Sequence, residues 1–193
     1  RLWDETETRG IVVDWLVNNA GFGSMGDFAD LELDRELRMI DLNVRSLVAL
    51  THRFLRGMRH RGQGTIINVS SAAGFQPIPF MATYAATKAF VTSFSEAIAE
   101  ESRPFGVRIL ALCPGSTETN FHAAAGMDRA LGFKGQETVE QVVETAMRAL
   151  GSGRSKIVSG WTNWLVASGV NFAPNSLITR VLARGMRGKF QKS

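Results

Sequence analysis

The sequence predicts an α/β protein built on a doubly wound parallel sheet, and three observations support this prediction. Short β-branched runs alternate along the chain with longer stretches of helical periodicity. No hairpin turn joins one run to the next, so we expect neighbouring strands to be parallel, with right-handed crossovers between them. Polar residues follow three of the strand ends, and ligands bind at that edge in sheets of this kind.

Four apolar runs are predicted to form the strands of the sheet. The run over 11–18 ends in Asn-Asn-Ala-Gly, which suits a buried strand that opens into a loop. The run over 65–69 is short, β-branched and bounded by glycine and serine. Two further strands are predicted over 107–112 and 156–159.

Helical periodicity fills the segments between these strands. Apolar residues recur at spacings of three and four over 33–58, and glycines follow that segment. An alanine-rich helix is predicted over 82–102, with its end near Pro104. Further helices are predicted over 138–150 and from Ser176 onward.

Length and composition indicate one globular body. The chain has 193 residues, of which 45% are hydrophobic and 21% charged, which excludes wholesale disorder and the collagen and disulfide-scaffold classes. We divide it into 1–160, a Rossmann-like portion, and 161–193, a basic amphipathic extension. The single cysteine, Cys113, forms no internal disulfide and no zinc cluster, so we expect no metal site and a cytoplasmic location. Neither a secretory signal nor a spanning segment is expected.

Charge is unevenly distributed along the chain. The last acidic residue is Glu144, so the first 144 residues carry a net charge of −4 and the last 49 carry +8. Clustered basic residues raise the local potential and attract phosphate, anionic lipid or an acidic carrier. Three interpretations of 161–193 stay open: simple docking on the core, a substrate lid or acyl-carrier contact, and peripheral membrane contact. Nucleic acid is not expected as a partner.

One group of residues points to chemistry at a carbonyl. Tyr84 and Lys88 lie four residues apart at the start of a predicted helix, so their side chains share a face. A phenol has a pKa of about 10, and a nearby ammonium favours the phenolate and lowers that pKa. Such a phenol can donate a proton to a carbonyl oxygen on which negative charge develops.

Further residues surround this pair in a fixed order: Asn-Asn-Ala-Gly at 18–21, Asn43, Ser71, and Pro114-Gly115 with Thr119. Together the set resembles the short-chain dehydrogenase/reductase family. The resemblance implies a Rossmann-like fold, NADP or NAD as cofactor with NADP slightly favoured, and interconversion of an alcohol and a ketone. It implies catalytic roles for Asn43, Ser71, Tyr84 and Lys88, and cofactor binding by Asn19, Ala20, Gly21, Tyr84, Lys88, Pro114, Gly115 and Thr119.

Some of these assignments have competitors. Ser70 competes with Ser71 for the catalytic role. Ser71 has the family's spacing to Tyr84, so Ser70 is interpreted as its structural neighbour. Thr117 competes with Thr119, which the family's PGxxxT pattern selects. Asn43 has the alternative role of bonding within its own helix.

The segment 21–26 matches the glycine pattern GxGxxG, but we predict that it is not a dinucleotide fingerprint. That fingerprint needs an acidic residue at a second strand end about twenty positions on, whereas Asp41 lies in a helical pattern. The family's TGxxxGxG turn is absent from the sequence, so the chain is expected to be a fragment or a truncated product with an exposed sheet edge at 11–18. The alternative function is therefore an inactive, truncated binding or membrane- and carrier-associated module.

The substrate is expected to be a small hydrophobic carbonyl or hydroxyl compound, with linkage to an acyl carrier as one option. The resemblance also implies a homo-oligomer assembled through the helices near 33–58 and 82–102. The hydrophobic prediction depends on apolar residues in the loops near 74–81 and 120–136: Phe75, Ile78, Phe80, Met81, Phe121, Met127, Leu131 and Phe133.

Overall fold

The computed structural model describes residues 2–119, 136–169 and 174–190. Within these ranges four strands form one sheet in the order β1-β2-β3-β4, and every pairing is parallel. The predicted parallel α/β architecture is confirmed. The strands are β1 (Trp15–Asn18), β2 (Gly64–Val69), β3 (Val107–Cys113) and β4 (Lys156–Val158).

Helices precede, connect and follow the strands. The α-helices are α1 (Leu2–Thr8), α2 (Leu33–Ile40), α3 (Leu47–Arg61), α4 (Ala82–Ser102), α5 (Val139–Gly151), α6 (Trp161–Gly169) and α7 (Asn175–Phe190). Single turns of 3₁₀-helix cover Phe28–Asp30, Ala72–Phe75 and Arg103–Phe105, and a π-helical turn covers Asp41–Ser46.

Both faces of the sheet are covered by helices, as a doubly wound sheet requires. On one face Phe54 of α3 and Ala99 of α4 pack with Ile66 of β2. On the other face Val142 of α5 packs with Leu110 of β3. Each such fully buried aliphatic or aromatic side chain stabilises the fold by about 1.5–3 kcal/mol relative to exposure.

The first strand is shorter than the predicted 11–18, because the chain before it follows a different path. The Ile11 N–H donates to the Thr6 carbonyl beyond the end of α1, and the first ladder contact comes from the Asp14 carbonyl, which accepts from the Thr65 N–H. Ile11 and Val12 are exposed rather than buried. As predicted, β1 is an edge strand of the described sheet, and its Trp15 and Val17 are exposed.

The predicted helix over 33–58 is interrupted and extends further than expected. The π-helical turn separates α2 from α3, and α3 continues to Arg61 before Gly62 ends it with a φ of 72°. Helix α5 begins after Thr138, whose hydroxyl and the Gln141 side chain form a capping box. Helix α6 was not among the predicted elements.

Candidate active site

The predicted site residues in loops follow β1, β2 and β3, whose carboxyl ends lie at one edge of the sheet because the strands are parallel and adjacent. Two backbone hydrogen bonds join the ends of β2 and β3. The Ser70 N–H donates to the Leu112 carbonyl at 2.7 Å, and the Ala72 N–H donates to the Pro114 carbonyl at 2.8 Å. The loop that carries Ser71 therefore lies directly beside the Pro114 loop.

Helix α4 carries both Tyr84 and Lys88 into this edge. Each is only 6% exposed, and the Lys88 Nζ atom lies 5.8 Å from the centroid of the Tyr84 ring. The ammonium donates to the Val69 carbonyl at 2.9 Å, which fixes it at the end of β2. Burial lowers the pKa of Lys88 to about 8, because the charged form loses its hydration there.

The pKa of Tyr84 behaves differently from the sequence-based expectation. Burial raises it, and the group that opposes this is the Ser71 hydroxyl through a hydrogen bond, rather than Lys88.

Ser71 begins the turn Ala72–Phe75, which lies directly on α4. Its hydroxyl accepts a hydrogen bond from the Ala73 N–H at 3.1 Å. A Cβ atom at Gly74 would lie 2.7 Å from the carbonyl carbon of Lys88, so glycine permits this close approach. The Ser70 hydroxyl instead donates to the Lys88 carbonyl at 2.7 Å.

Asn43 lies in the π-helical turn, and its side chain holds the loop after β1. Its Oδ1 atom accepts from the Phe22 N–H at 3.2 Å, and its Nδ2 donates to the Phe22 carbonyl at 2.9 Å. A second bond from Nδ2 reaches the Thr87 hydroxyl at 3.2 Å. A Cβ atom at Gly21 would lie 2.9 Å from Asn43 Oδ1 and 3.5 Å from Lys88 Nζ. Gly21, Asn43 and Lys88 are thus brought together.

The loop after β3 is held by residues from the carboxyl-terminal third of the chain. The Asn163 side chain occupies the space that a Cβ atom at Gly115 would need. Glu137 forms two backbone hydrogen bonds with this loop, donating to the Ser116 carbonyl and accepting from the Glu118 N–H at 3.0 Å each. Thr119 is exposed.

Thr117, the competitor of Thr119, is half-buried, and its hydroxyl donates to the Gly115 carbonyl at 3.3 Å. Asn19 and Ala20 lie exposed in the loop after β1. Four of the predicted pocket residues fall outside the described residues: Phe121, Met127, Leu131 and Phe133.

A buried polar network positions this edge of the sheet and was not predicted from the sequence. Asn18 Nδ2 donates to Thr51 Oγ1 at 3.0 Å and to Asn68 Oδ1 at 2.8 Å. Asn68 Nδ2 in turn donates to Ser95 Oγ at 2.9 Å. The signal in the sequence is an asparagine inside an apolar strand, because a buried amide must find partners. The network joins β1 and β2 to α3 and α4.

One wall of the site is apolar. Met39 and Met81 are buried against Tyr84, and four half-buried residues pack on this cluster: Phe22, Met25, Ala73 and Ile78. The half-buried members of the cluster leave some apolar surface accessible next to Tyr84.

The GxGxxG segment over 21–26 is a loop, and no helix begins at its glycines. The Gly26 N–H donates to the Phe80 carbonyl at 2.9 Å, which ties this loop to the one that precedes α4. Asp41 lies in the π-helical turn. A dinucleotide fingerprint opens directly into a helix, and this segment does not.

Neither a metal cluster nor a membrane-spanning helix is found in the described part of the chain. Within it, no group of three or more His, Cys, Asp and Glu side chains is arranged to hold a metal ion. Among the described helices, none is both long and apolar enough to cross a membrane.

Known proteins are similar to this chain in sequence and in structure. A putative ketoacyl reductase of the monensin polyketide synthase from Streptomyces virginiae is 37% identical over 139 residues, which are 71% of this chain and 52% of that protein. The very-long-chain 3-oxoacyl-CoA reductase of Rattus norvegicus is 36% identical over 119 residues, or 58% of this chain and 38% of that protein. The chain spans about half the length of the curated relatives it matches.

A short-chain dehydrogenase from Sphingobium yanoikuyae, solved in complex with NADPH, superimposes with a TM-score of 0.73 at 25% identity, over 99% of this chain and 72% of that one. The family model for short chain dehydrogenases matches residues 2–130, which is more than half of the sequence. This chain is therefore a member of the short-chain dehydrogenase family.

Proposed function

We propose that the protein containing this chain is an NAD(P)-dependent oxidoreductase that interconverts an alcohol and a ketone. The observation that carries the proposal is the triad of half-buried Ser71 with buried Tyr84 and Lys88. The phenol and the ammonium share one face of α4, and the Ser71 hydroxyl hydrogen-bonds to the phenol. Relatives named as ketoacyl and 3-oxoacyl-CoA reductases support the same reaction class.

The described residues fit the nicotinamide half of such a cofactor. Lys88 has three N–H donors, of which one bonds to the Val69 carbonyl, and Gly21 lies beside the ammonium, where a Cβ atom would come within 3.5 Å of Nζ. Lys88 and Tyr84 would bind the nicotinamide ribose hydroxyls, and the loop with Pro114, Gly115 and Thr119 would hold the nicotinamide carboxamide. Asn19, Ala20 and Gly21 would flank the adenosine side of the cofactor. The NADPH complex of the similar dehydrogenase supports NADP, with NAD as the alternative.

When bound, the nicotinamide supplies or removes the hydride. During reduction Tyr84 donates its proton to the carbonyl oxygen, and Ser71 hydrogen-bonds to the same oxygen. The raised pKa of Tyr84 keeps the phenol protonated at neutral pH, which is the form that an acid needs. Lys88, with a pKa of about 8, is charged at pH 7 and stabilises the phenolate that forms. Asn43 keeps the loop at Phe22 in place beside Lys88.

We infer a hydrophobic carbonyl or hydroxyl compound as substrate from the half-buried apolar residues beside Tyr84, which include Phe22, Met25 and Ile78. An acyl chain, carried on coenzyme A or on a carrier protein, fits the apolar wall and agrees with the names of the two reductase relatives.

Replacing Tyr84 with phenylalanine tests the proposal. We expect Tyr84→Phe to lower kcat by about a hundredfold to ten-thousandfold, since it removes the proton donor and little volume. Binding of NADPH, followed by fluorescence titration, should persist. Unchanged turnover would show that Tyr84 is not the acid. An unmodified protein that is folded yet neither binds cofactor nor turns over ketones would favour the inactive binding module instead.

The neighbouring serines provide a matched pair. Ser71→Ala should lower kcat by about tenfold or more with little change in stability, because Ser71 bonds to the phenol. Ser70→Ala should lower the unfolding free energy by about 1 kcal/mol and leave kcat nearly unchanged, because its partners are the Lys88 carbonyl and Thr92. Steady-state kinetics and thermal unfolding separate the two effects, and the reverse pattern would contradict the assignment.

A further inference from the structure

Helix α6 turns an apolar face toward solvent. Trp161 is 75% exposed, Trp164 is 54% exposed, and Leu165 is also exposed. Their spacing of three and four residues places them on one side of the helix. Ala167, by contrast, is buried. Large tryptophans are seldom left in water without a partner, so this face is a candidate interaction surface.

Helix α7 combines exposed apolar residues with exposed cations. Leu177 and Val181 are exposed in its first half. Arg180, Arg184 and Arg187 are exposed, and none forms an ion pair with another residue of the described ranges. Tryptophan, aliphatic and arginine side chains together are typical of helices that lie in a membrane interface.

Both helices border the candidate active site. Helix α6 contacts the turn Ala72–Phe75 that follows Ser71, and its Asn163 side chain lies against Gly115. Phe190, the last residue of α7, stacks on Phe80 with ring centroids 5.1 Å apart. A surface that engages the exposed faces of α6 and α7 therefore lies near the carboxyl edge of the sheet.

The charge of the segment indicates what binds the exposed faces of α6 and α7. Residues 161–193 contain five basic residues and no acidic one. An anionic lipid surface is bound by positive charge together with tryptophan and aliphatic anchors, and α6 and α7 supply both. We propose that the exposed faces of α6 and α7 bind the surface of an anionic phospholipid bilayer. The active-site edge then faces the membrane.

The second part of the inference concerns the substrate and rests on the proposed function. An active-site edge that faces a bilayer takes its substrate from the lipid phase. The substrate class is therefore an apolar ketone or alcohol that partitions into membranes, in agreement with the apolar wall beside Tyr84.

Cosedimentation of the complete natural protein with vesicles tests the membrane contact. We expect binding to phosphatidylcholine–phosphatidylglycerol vesicles, weak binding to phosphatidylcholine alone, and release at high salt. The double variant Trp161→Ser, Trp164→Ser should bind the vesicles with at least about tenfold lower affinity. In the triple variant, Arg180, Arg184 and Arg187 are changed to glutamine. Its affinity for the anionic vesicles should be about a hundredfold lower. The control Val143→Ser, Met147→Ser alters exposed apolar residues of α5 and should bind normally.

Several outcomes would overturn the membrane proposal. They are absence of vesicle binding, equal binding to neutral and anionic vesicles, and binding that the tryptophan and arginine variants leave unchanged. Binding to an acidic acyl carrier without vesicle binding would assign the surface to a protein. A fall in oligomeric mass on Trp161→Ser would assign it to a second copy. Turnover of a water-soluble ketone without vesicles tests the proposed function separately, and the tryptophan variant should retain it.

Discussion

Lys88 holds an ammonium group where water is largely excluded, and that position has an energetic cost. Its one backbone acceptor is the Val69 carbonyl, and burial lowers its pKa from 10.5 to about 8. The charged form is therefore less stable in the folded protein than in the unfolded chain at neutral pH. This cost is expected at a functional position, since the same charge stabilises the phenolate proposed to form at Tyr84.

Lys88→Met should stabilise the fold and abolish turnover. The penalty on the charged lysine is complete below pH 8 and is relieved as the pH rises from 8 to 10.5, so the stability gain should be largest near pH 7, much smaller at pH 10 and absent above pH 10.5. The shift implies a gain of up to about 3 kcal/mol at pH 7. Urea unfolding of both proteins at several pH values measures the difference.

The control for this experiment is Lys156→Met. Lys156 is half-buried and its Nζ lies 2.8 Å from Glu96 Oε1, so its loss should give no stability gain at pH 7. A gain for Lys88→Met that persists unchanged at pH 10 would contradict the electrostatic explanation.

For individual residues, spacing in the sequence predicted part of the candidate site. The intervals from Ser71 to Tyr84 and Lys88 follow from one strand end and one helix face, so local geometry brings them together. The contact of Asn163 with Gly115 joins residues far apart in the chain and leaves no periodic signal. The raised pKa of Tyr84 and the lowered pKa of Lys88 both result from burial, which spacing does not reveal.

Among the elements, the turn Ala72–Phe75 and helix α4 form one unit. The space for a Cβ atom at Gly74 is occupied by the backbone of Lys88 and Ala89, which a rotamer change cannot move. Because the turn packs directly on α4, a shift of α4 would also shift Ser71. Any residue larger than glycine must push the two elements apart.

Gly74→Ala should therefore affect both stability and catalysis. Overpacking against backbone costs about 1–3 kcal/mol, and displacement of Ser71 by about 1 Å lowers kcat by roughly a hundredfold. Gly185→Ala is the matched control, because Gly185 lies within α7, no neighbouring group would lie within 4 Å of an added Cβ atom there, and alanine favours helix. Thermal unfolding and steady-state kinetics test the pair. Wild-type kinetics for Gly74→Ala would show that the turn is not coupled to α4.

Element bounds were predictable where special residues mark them. Helix α4 covers Ala82–Ser102 as predicted, with Pro104 beyond its end, and Gly62 ends α3. The π-helical turn at Asn43 was missed because apolar periodicity continues through it. Helix α6 was missed because its large apolar residues face solvent, where periodicity arguments do not expect them.

For the whole molecule, alternation of strands and helices was enough to predict the parallel sheet, because few topologies satisfy it. What alternation does not determine is which apolar helix faces remain open. Leu33, Leu37 and Ile40 form an exposed stripe on α2, and Phe90 is exposed on α4. We expect these faces to pair two copies of the protein, since burial of such a stripe is favourable.

Leu37→Arg tests this expectation. A charge in the centre of a buried apolar contact should shift the particle mass from the oligomer to the single chain, as light scattering after gel filtration measures. Val143→Arg places the same charge on an exposed site of α5 and should leave the mass unchanged. An oligomer that survives Leu37→Arg would exclude α2 from the contact.

The hydrogen bond from Gly26 to the Phe80 carbonyl has a practical consequence for protein engineering. Phe80 has a φ of 65°, so this hydrogen bond between the two loops depends on a backbone geometry that few residues other than glycine adopt readily. Libraries that vary the two loops separately would sample mainly combinations in which one loop no longer fits the other. Substitutions around Gly26 and Phe80 should have non-additive effects, so changes in selectivity are best sought by randomising both loops together.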